Sequence, residues 1–461
     1  MNIMRLILVL TCLLPLAGLA KRQPPNIILI CADDLGYGDV SYHHGHAEDI
    51  ITPNIERLAR NGVWFSQAYS ASTLGAPARS GMMTGRYPQR YGYEDNPGPF
   101  RQSEDVTIGT PDSETTLAEK FGELGYTTAL IGKYEDSYNQ LKHPNRRGYD
   151  YFYGFTGSII DYYVKARSKR QIYRNNKLVI EQRYLTDVFG EEAEKFIIEN
   201  KDDPFFLHLS FNAVSGPIVA PPEVVEKFAH IQGERRRKFV TMLYIMDKNI
   251  GNLLNTLNKH GLKENTMVIL TSDTGSKPRA THASNGNLNG ERGTFFEGGI
   301  RVPLIISWPS KLPKDFEHTQ MVSTLDIYPT IFSACKARKP WSENELDGKD
   351  IYSQISGMED ASSHEYLYWR ANAKWAVRDN HWKLVFADNK SPVALYKIIN
   401  DEREQKNVIN DYPAEVERLN NAFVNWSKTL KAPQWGWQPQ YCGETKMDFK
   451  NPNPQALSIA D

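Results

Sequence analysis

The strongest constraint on the fold is a set of short apolar runs that leave no strand face for water. The run Asn26–Ala32 reads Asn-Ile-Ile-Leu-Ile-Cys-Ala and shows no polar alternation. A strand of that composition needs cover on both faces, as in a parallel sheet layered between helices. Runs at 205–211, 267–271 and 304–308 have the same character. Helical patterns fall between them. The segment 52–61 places Ile55, Leu58 and Ala59 on one side, and 116–124 reads as a helix stopped by Gly125 before a strand at 127–131. Segment 191–199 is amphipathic, and 238–257 carries Met242, Ile245, Met246, Ile250 and Leu253 as an apolar stripe. The alternation predicts an α/β fold, with a parallel or mostly parallel sheet and helices on both faces. At 461 residues the chain is long enough for one large domain and a smaller one.

The pattern changes after about residue 360. Short strands are expected at 365–369, 375–378, 382–386 and 394–398, with a hairpin turn at Asp379-Asn380 and a helix over 413–430. This predicts a small C-terminal antiparallel sheet with one helix, followed by an irregular tail from residue 432. At the other end, Arg5, the apolar stretch 6–19 and the small-x-small triplet Gly18-Leu19-Ala20 form a cleavable signal. The stretch is short for a membrane span. The expected organisation is therefore a signal peptide at 1–20, an α/β domain at 21–360 and a C-terminal subdomain at 361–461. The expected location is the periplasm or the medium, with no membrane attachment after cleavage.

Formal net charge is −1, which gives no case for a nucleic-acid partner or an anionic membrane surface. Removal of the signal leaves Cys31, Cys335 and Cys442. That is too sparse for a disulfide framework, though Cys335 and Cys442 are free to pair. Cys31, at the end of an apolar strand, reads as a small buried hydrophobe.

Chemistry concentrates beyond strand ends. Asp33-Asp34 directly follows the first buried run, and Ser272-Asp273 follows the run 267–271. In open α/β sheets ligands bind outside the carboxyl ends of the strands. Three carboxylates meeting there suit a hard divalent cation, calcium rather than magnesium, although a lone Asp after a strand is also a common turn or cap residue. The segment Gly75-Ala76-Pro77-Ala78-Arg79 opens a helix, with Gly75 as N-cap and Pro77 in the first turn. A helix N-terminus with Arg79 and Lys133 nearby would make an anion corner; an ordinary capped helix with a surface arginine fits the same spacing.

Residues 75–86, Gly-Ala-Pro-Ala-Arg-Ser-Gly-Met-Met-Thr-Gly-Arg, closely resemble the active-site signature of the type I sulfatases. The resemblance extends in order through 26–38, 52–54, Gly132-Lys133, 147–150 with 153–155, 184–187, 205–217, 271–273, 293–303 and 346–348. It reaches Leu395-Tyr396 and the terminal helix. It implies an alkaline-phosphatase-like fold, one calcium ion and hydrolysis of sulfate esters. It also implies metal ligands at Asp33, Asp34 and Asp273, with Thr274 where an amide ligand is expected.

Several positions depart from the family pattern. The signature should open with Cys or Ser, which is oxidised to the formylglycine nucleophile; here it opens with Gly75. Glu135 and Ser215 stand where histidines are expected, and Arg292 where a lysine is expected, while Arg79 and Lys133 match. The departures fall on residues that touch the sulfate or move its protons, and the scaffold residues Pro77, Thr84, Gly85, Gly298 and Pro303 remain. The resulting expectation is an exported sulfatase homologue without turnover that binds a sulfated glycan or sulfate ester through a remnant pocket. The alternative is an active hydrolase using a calcium-activated water or Glu135 as base. Ser72, Thr73 and Ser80 are further hydroxyls near the signature, and an engineered Gly75 trap is opposed by the additional changes at Glu135, Ser215 and Thr274. The aromatic stretches 42–44, 149–155 and 435–437 are candidates to line a carbohydrate cleft, with core packing as the favoured reading.

Overall fold

The structure is a computed structural model that describes residues 24–97, 108–136, 140–165, 168, 170–336, 346–358, 364–387 and 393–435. Its centre is a ten-stranded sheet. The strand order is Phe316–His318, Val63–Phe65, Leu304–Ser307, Thr266–Ser272, Asn26–Ala32, Phe205–Ser210, Thr127–Tyr134, Tyr151–Thr156, Ile172–Arg174 and Lys177–Val179. The five strands from Thr266–Ser272 to Tyr151–Thr156 run parallel. Antiparallel pairs flank them on both sides. The expected mostly parallel α/β fold is present, with mixed edges.

The apolar run at Asn26–Ala32 has a direct explanation in the layers. Ile28 and Ile30 join the core formed with helices Leu185–Glu199 and Glu234–Lys259, and Ile27, Leu29 and Cys31 join the core on the opposite face. Successive side chains point to opposite faces, so a strand covered twice has no polar position to offer. Cys31 is fully buried, as expected, and burial pushes its thiol up to about 12. The helix expected at 191–199 begins earlier, at Leu185, because Leu185, Val188 and Phe189 extend its buried side. The helix at Leu117–Glu123 carries a reciprocal cap: Glu119 N–H donates to the Thr116 hydroxyl, and Thr116 N–H donates to Glu119 Oε2. Gly125 then turns at φ +80°, a left-handed geometry that suits glycine.

The C-terminal region is an antiparallel meander of Leu367–Ala371, Lys374–Arg378, Lys383–Phe386 and Ala394–Tyr396, covered by the helix Pro413–Ser427. Trp375 stacks on Phe423 at 4.2 Å between sheet and helix. In the Asp379-Asn380 turn, Asp379 Oδ1 accepts hydrogen bonds from His381 N–H and Trp382 N–H. Among the described residues the aromatic stretches mostly pack, and Tyr149 also borders a cavity lined by Arg79, Lys133 and Glu135. Tyr149, Phe152, Tyr153 and Phe155 are buried, Tyr42 and His43 surround Trp64, and Trp435 packs on Tyr93. The signal segment, Cys442 and Trp437 lie outside the described residues. Among the described residues no helix is long and apolar enough to cross a membrane.

Candidate functional site

Parallel pairing puts the carboxyl ends of the central strands at one edge. The register sets Cys31 opposite Ser210, Ala32 opposite Ser272, and Gly132 opposite Ser210. The residues that follow therefore emerge side by side. Consecutive side chains on a strand diverge, but Asp34 turns at φ +61°, which breaks the alternation. As a result Asp33, Asp34 and Asp273 each offer a carboxylate oxygen within 4.8 Å of the others, all buried. Asp34 N–H also donates to Asp273 Oδ1 at 3.1 Å.

Four cations face these carboxylates. Lys133 Nζ lies 2.7 Å from Asp33 Oδ2 and 2.7 Å from Glu135 Oε2. Arg79 Nε donates to Asp273 Oδ2 at 2.9 Å, and its Nη1 donates to Ser210 Oγ at 2.8 Å. Arg292 Nη1 donates to Asp34 Oδ1 at 2.6 Å, and Lys277 Nζ lies 3.4 Å from Asp34 Oδ2. The Ser215 hydroxyl donates to Asp34 Oδ2 at 2.7 Å, and the Thr274 hydroxyl donates to Asp34 Oδ1 at 3.1 Å. Every candidate site residue from the sequence thus falls in one cluster.

The helix Gly75–Thr84 enters this cluster, with one correction to the expected cap. Leu74 is the N-cap and Gly75 the first helical residue. The helix end is also largely satisfied: Ala76 N–H donates to Asn96 Oδ1, Ala78 N–H donates to Leu74 O, and Pro77 has no N–H. The side chains of Arg79, Lys133 and Arg292 provide positive charge beside this helix end. An ideal Cβ built on Gly75 would lie 2.8 Å from Asp273 Oδ2, 3.1 Å from Glu135 Oε2 and 3.2 Å from Arg292 Nη2. Position 75 thus points into the middle of the charged cluster. The nearby Ser80 hydroxyl is held by Tyr91 and Thr110, at 2.6 and 2.7 Å.

Buried polar atoms without hydrogen-bond partners are costly and call for an explanation. Asp33 Oδ1, Arg79 Nη2 and Glu135 Oε1 are such atoms, and all lie in this cluster. Burial pushes the Asp33 carboxyl up to about 7 against the pull of Lys133. Burial works the same way on Asp273, but Arg79, Lys133 and Arg292 outweigh it and hold that carboxyl below the usual range. Hard oxygen donors converging with a free carboxylate oxygen fit a hard cation such as calcium. Asp33, Asp34 and Asp273 could hold it, with the Thr274 hydroxyl beside them.

The family model for Sulfatase matches residues 25–337. The chain belongs to the sulfatase family. A second model, N-sulphoglucosamine sulphohydrolase, C-terminal, matches residues 291–427 of this sulfatase-family chain. N-acetylgalactosamine-6-sulfatase of Canis lupus familiaris is 30% identical over 409 residues, covering 83% of this chain and 75% of that protein. Arylsulfatase J of Mus musculus is 27% identical, covering 90% and 78%. The crystal structure of Ps i-CgsB in complex with k-i-k-neocarrahexaose superposes with a TM-score of 0.83 at 33% identity, covering 91% of this chain and 96% of that one. The fold class is thereby that of the alkaline-phosphatase-like sulfatases.

Sequence reasoning missed two participants. Ser210 accepts from Arg79 and donates to Lys133 O at 2.6 Å, which ties two cations to the end of strand Phe205–Ser210. Its only sequence signal is its place at a strand terminus. Lys277 reaches Asp34 from a loop and is 37% exposed at its side chain, which makes it a rim group of the site. No spacing rule would have selected it.

Proposed function

We propose that this sulfatase-family protein binds a sulfated carbohydrate at the Asp33–Asp34–Asp273 cluster but does not use the formylglycine route of its family. The observation that carries this reading is Gly75. At the point where a side chain would enter the charged cluster, the chain supplies only backbone. Asp33, Asp34 and Asp273 would hold calcium, assisted by Thr274. When bound, that ion would neutralise carboxylates and attract the ester's anionic oxygens. Arg79, Lys133 and Arg292 would orient the sulfate, with Lys277 at the rim. Ser215 holds Asp34 through its hydroxyl and cannot shuttle protons as an imidazole does. Removing the nucleophile from a cooperating set costs on the order of 10⁶ in turnover in a well-studied hydrolase.

Sulfated carbohydrate is the ligand class that fits the anion-facing cations and the names of the similar proteins. The signal segment supports export to the periplasm or the medium. Calorimetric titration of the calcium-loaded protein with sulfated and matched desulfated oligosaccharides tests the reading. Binding is expected only for the sulfated set; equal affinity for both would refute it.

A second reading, hydrolysis by a water activated by Glu135, has one observation in its favour. Glu135 Oε1 has no hydrogen-bond partner, and Oε2, paired with Lys133 at 2.7 Å, faces the empty position at Gly75. Measurable sulfate release that disappears in both Asp33→Asn and Glu135→Gln would establish that route.

A further inference from the structure

We propose that Glu135 and Gly75 form a matched pair, in which the Glu135 carboxylate is a built-in anion of the sulfate pocket. This rests on the sulfate-binding reading and adds a control within that site. Glu135 follows directly after strand Thr127–Tyr134, and its side chain is 1% exposed. Its Oε2 lies 2.7 Å from Lys133 Nζ and 4.0 Å from Arg79 Nε. It is also 3.1 Å from the Cβ that any other residue would carry at position 75, a point that Arg292 Nη2 shares at 3.2 Å. The carboxylate therefore stands among the three cations that would receive an ester's sulfate.

Two consequences follow. First, Glu135 competes with external anions for Lys133 and Arg79. Charges a few ångströms apart in a buried site interact strongly, so removing this one raises anion affinity. Second, the space at position 75 is already claimed by Glu135 and by Asp273, which Arg79 holds at 2.9 Å. A side chain restored at position 75 alone must shift the Asp273 carboxylate, 2.8 Å away, and press on Glu135 at 3.1 Å. Glycine there suits this crowding, with Asp273 Oδ2 the nearest atom and Glu135 Oε2 the next.

The test has two arms on the full chain. In the first, inorganic sulfate is titrated into the calcium-loaded wild type and into Glu135→Gln, an isosteric change that keeps the packing. Affinity is expected to rise about tenfold on loss of the charge. An unchanged or weaker sulfate affinity in a folded Glu135→Gln protein overturns the competition. In the second, Gly75→Ser is made in the wild type and in Glu135→Ala, and the melting temperature is read. The drop caused by Gly75→Ser is expected to be smaller in the Glu135→Ala background, where the Asp273 contact remains, since neighbours that share space are not additive. Equal drops in both backgrounds overturn the matched pair. If no variant binds sulfate or a sulfated oligosaccharide, the binding reading falls while the melting arm still decides the pairing.

Discussion

Two of the buried charge clusters among the described residues are built to different rules. One joins the C-terminal sheet to the rest of the molecule. There Glu297 accepts from Tyr69 Oη at 2.6 Å and from Lys383 Nζ at 2.9 Å, and Lys383 also reaches Glu404 at 2.8 Å. Arg301 and Arg378 both lie 3.7 Å from Glu297, and Arg301 also meets Glu402. Glu404 Oε2 accepts Glu297 N–H. Its Oε1 makes no hydrogen bond but sits against the Lys383 ammonium. The other cluster, at Asp33, Asp34 and Asp273, leaves Asp33 Oδ1, Arg79 Nη2 and Glu135 Oε1 without hydrogen bonds, the first two facing each other at 3.9 Å. A cluster that only joins two regions can close on itself, whereas one that receives a ligand must keep atoms in reserve.

The contrast can be broken most forcefully by removing one lysine from each side. Lys383→Met leaves Glu297 and Glu404 buried against a missing charge and should cost about 3–5 kcal/mol in denaturant unfolding, with or without calcium. Lys133→Met should destabilise the chain in chelator, but calcium should recover most of the loss, because the ion neutralises the same Asp33. Equal calcium rescue of both variants would erase the distinction.

A smaller effect sharpens the ligand side. Calcium at a hundredfold its dissociation constant should stabilise the wild type by about 2.7 kcal/mol, and Asp33→Asn should abolish most of that gain in thermal melts. A full calcium shift in Asp33→Asn would move the ion elsewhere.

An effect of comparable size belongs to the seam. Burial pushes the Glu404 carboxyl up to about 7, against the pull of Lys383, from an ordinary 4.5. The folded chain therefore keeps this proton through a range in which the unfolded chain loses it. The resulting stabilisation is fully present below about pH 4.5 and is lost as pH rises through about 7. Wild type should lose about 3 kcal/mol more than Glu404→Gln between these limits, measured by melting across pH. A Glu404→Gln profile parallel to wild type would assign the seam's pH response to another group.

The layered fold was legible because apolar periodicity is local. Asn26–Ala32 announced burial on both faces, and Thr116 with Glu119 and Gly125 marked a helix at both ends. The start of the helix at Leu185 was hidden because its first turn borrows burial from tertiary neighbours. The site was legible where chemistry sits at strand ends, as with Asp33, Asp34 and Asp273. The fit between Gly75 and Glu135 was invisible in sequence, since sixty residues separate the start of a helix from the end of a strand that only tertiary packing brings together. Lys277 was missed for the same reason, and the satisfied end of helix Gly75–Thr84 depended on Asn96 from a separate loop.

The most direct measurement is release of inorganic sulfate from a panel of sulfated oligosaccharides by the purified, calcium-loaded protein, with binding read in the same samples. The account predicts saturable binding with turnover about 10⁶-fold below that of a nucleophile-bearing sulfatase measured alongside. Sulfate release at ordinary enzymatic rates, about 1 s⁻¹ or faster, would contradict it.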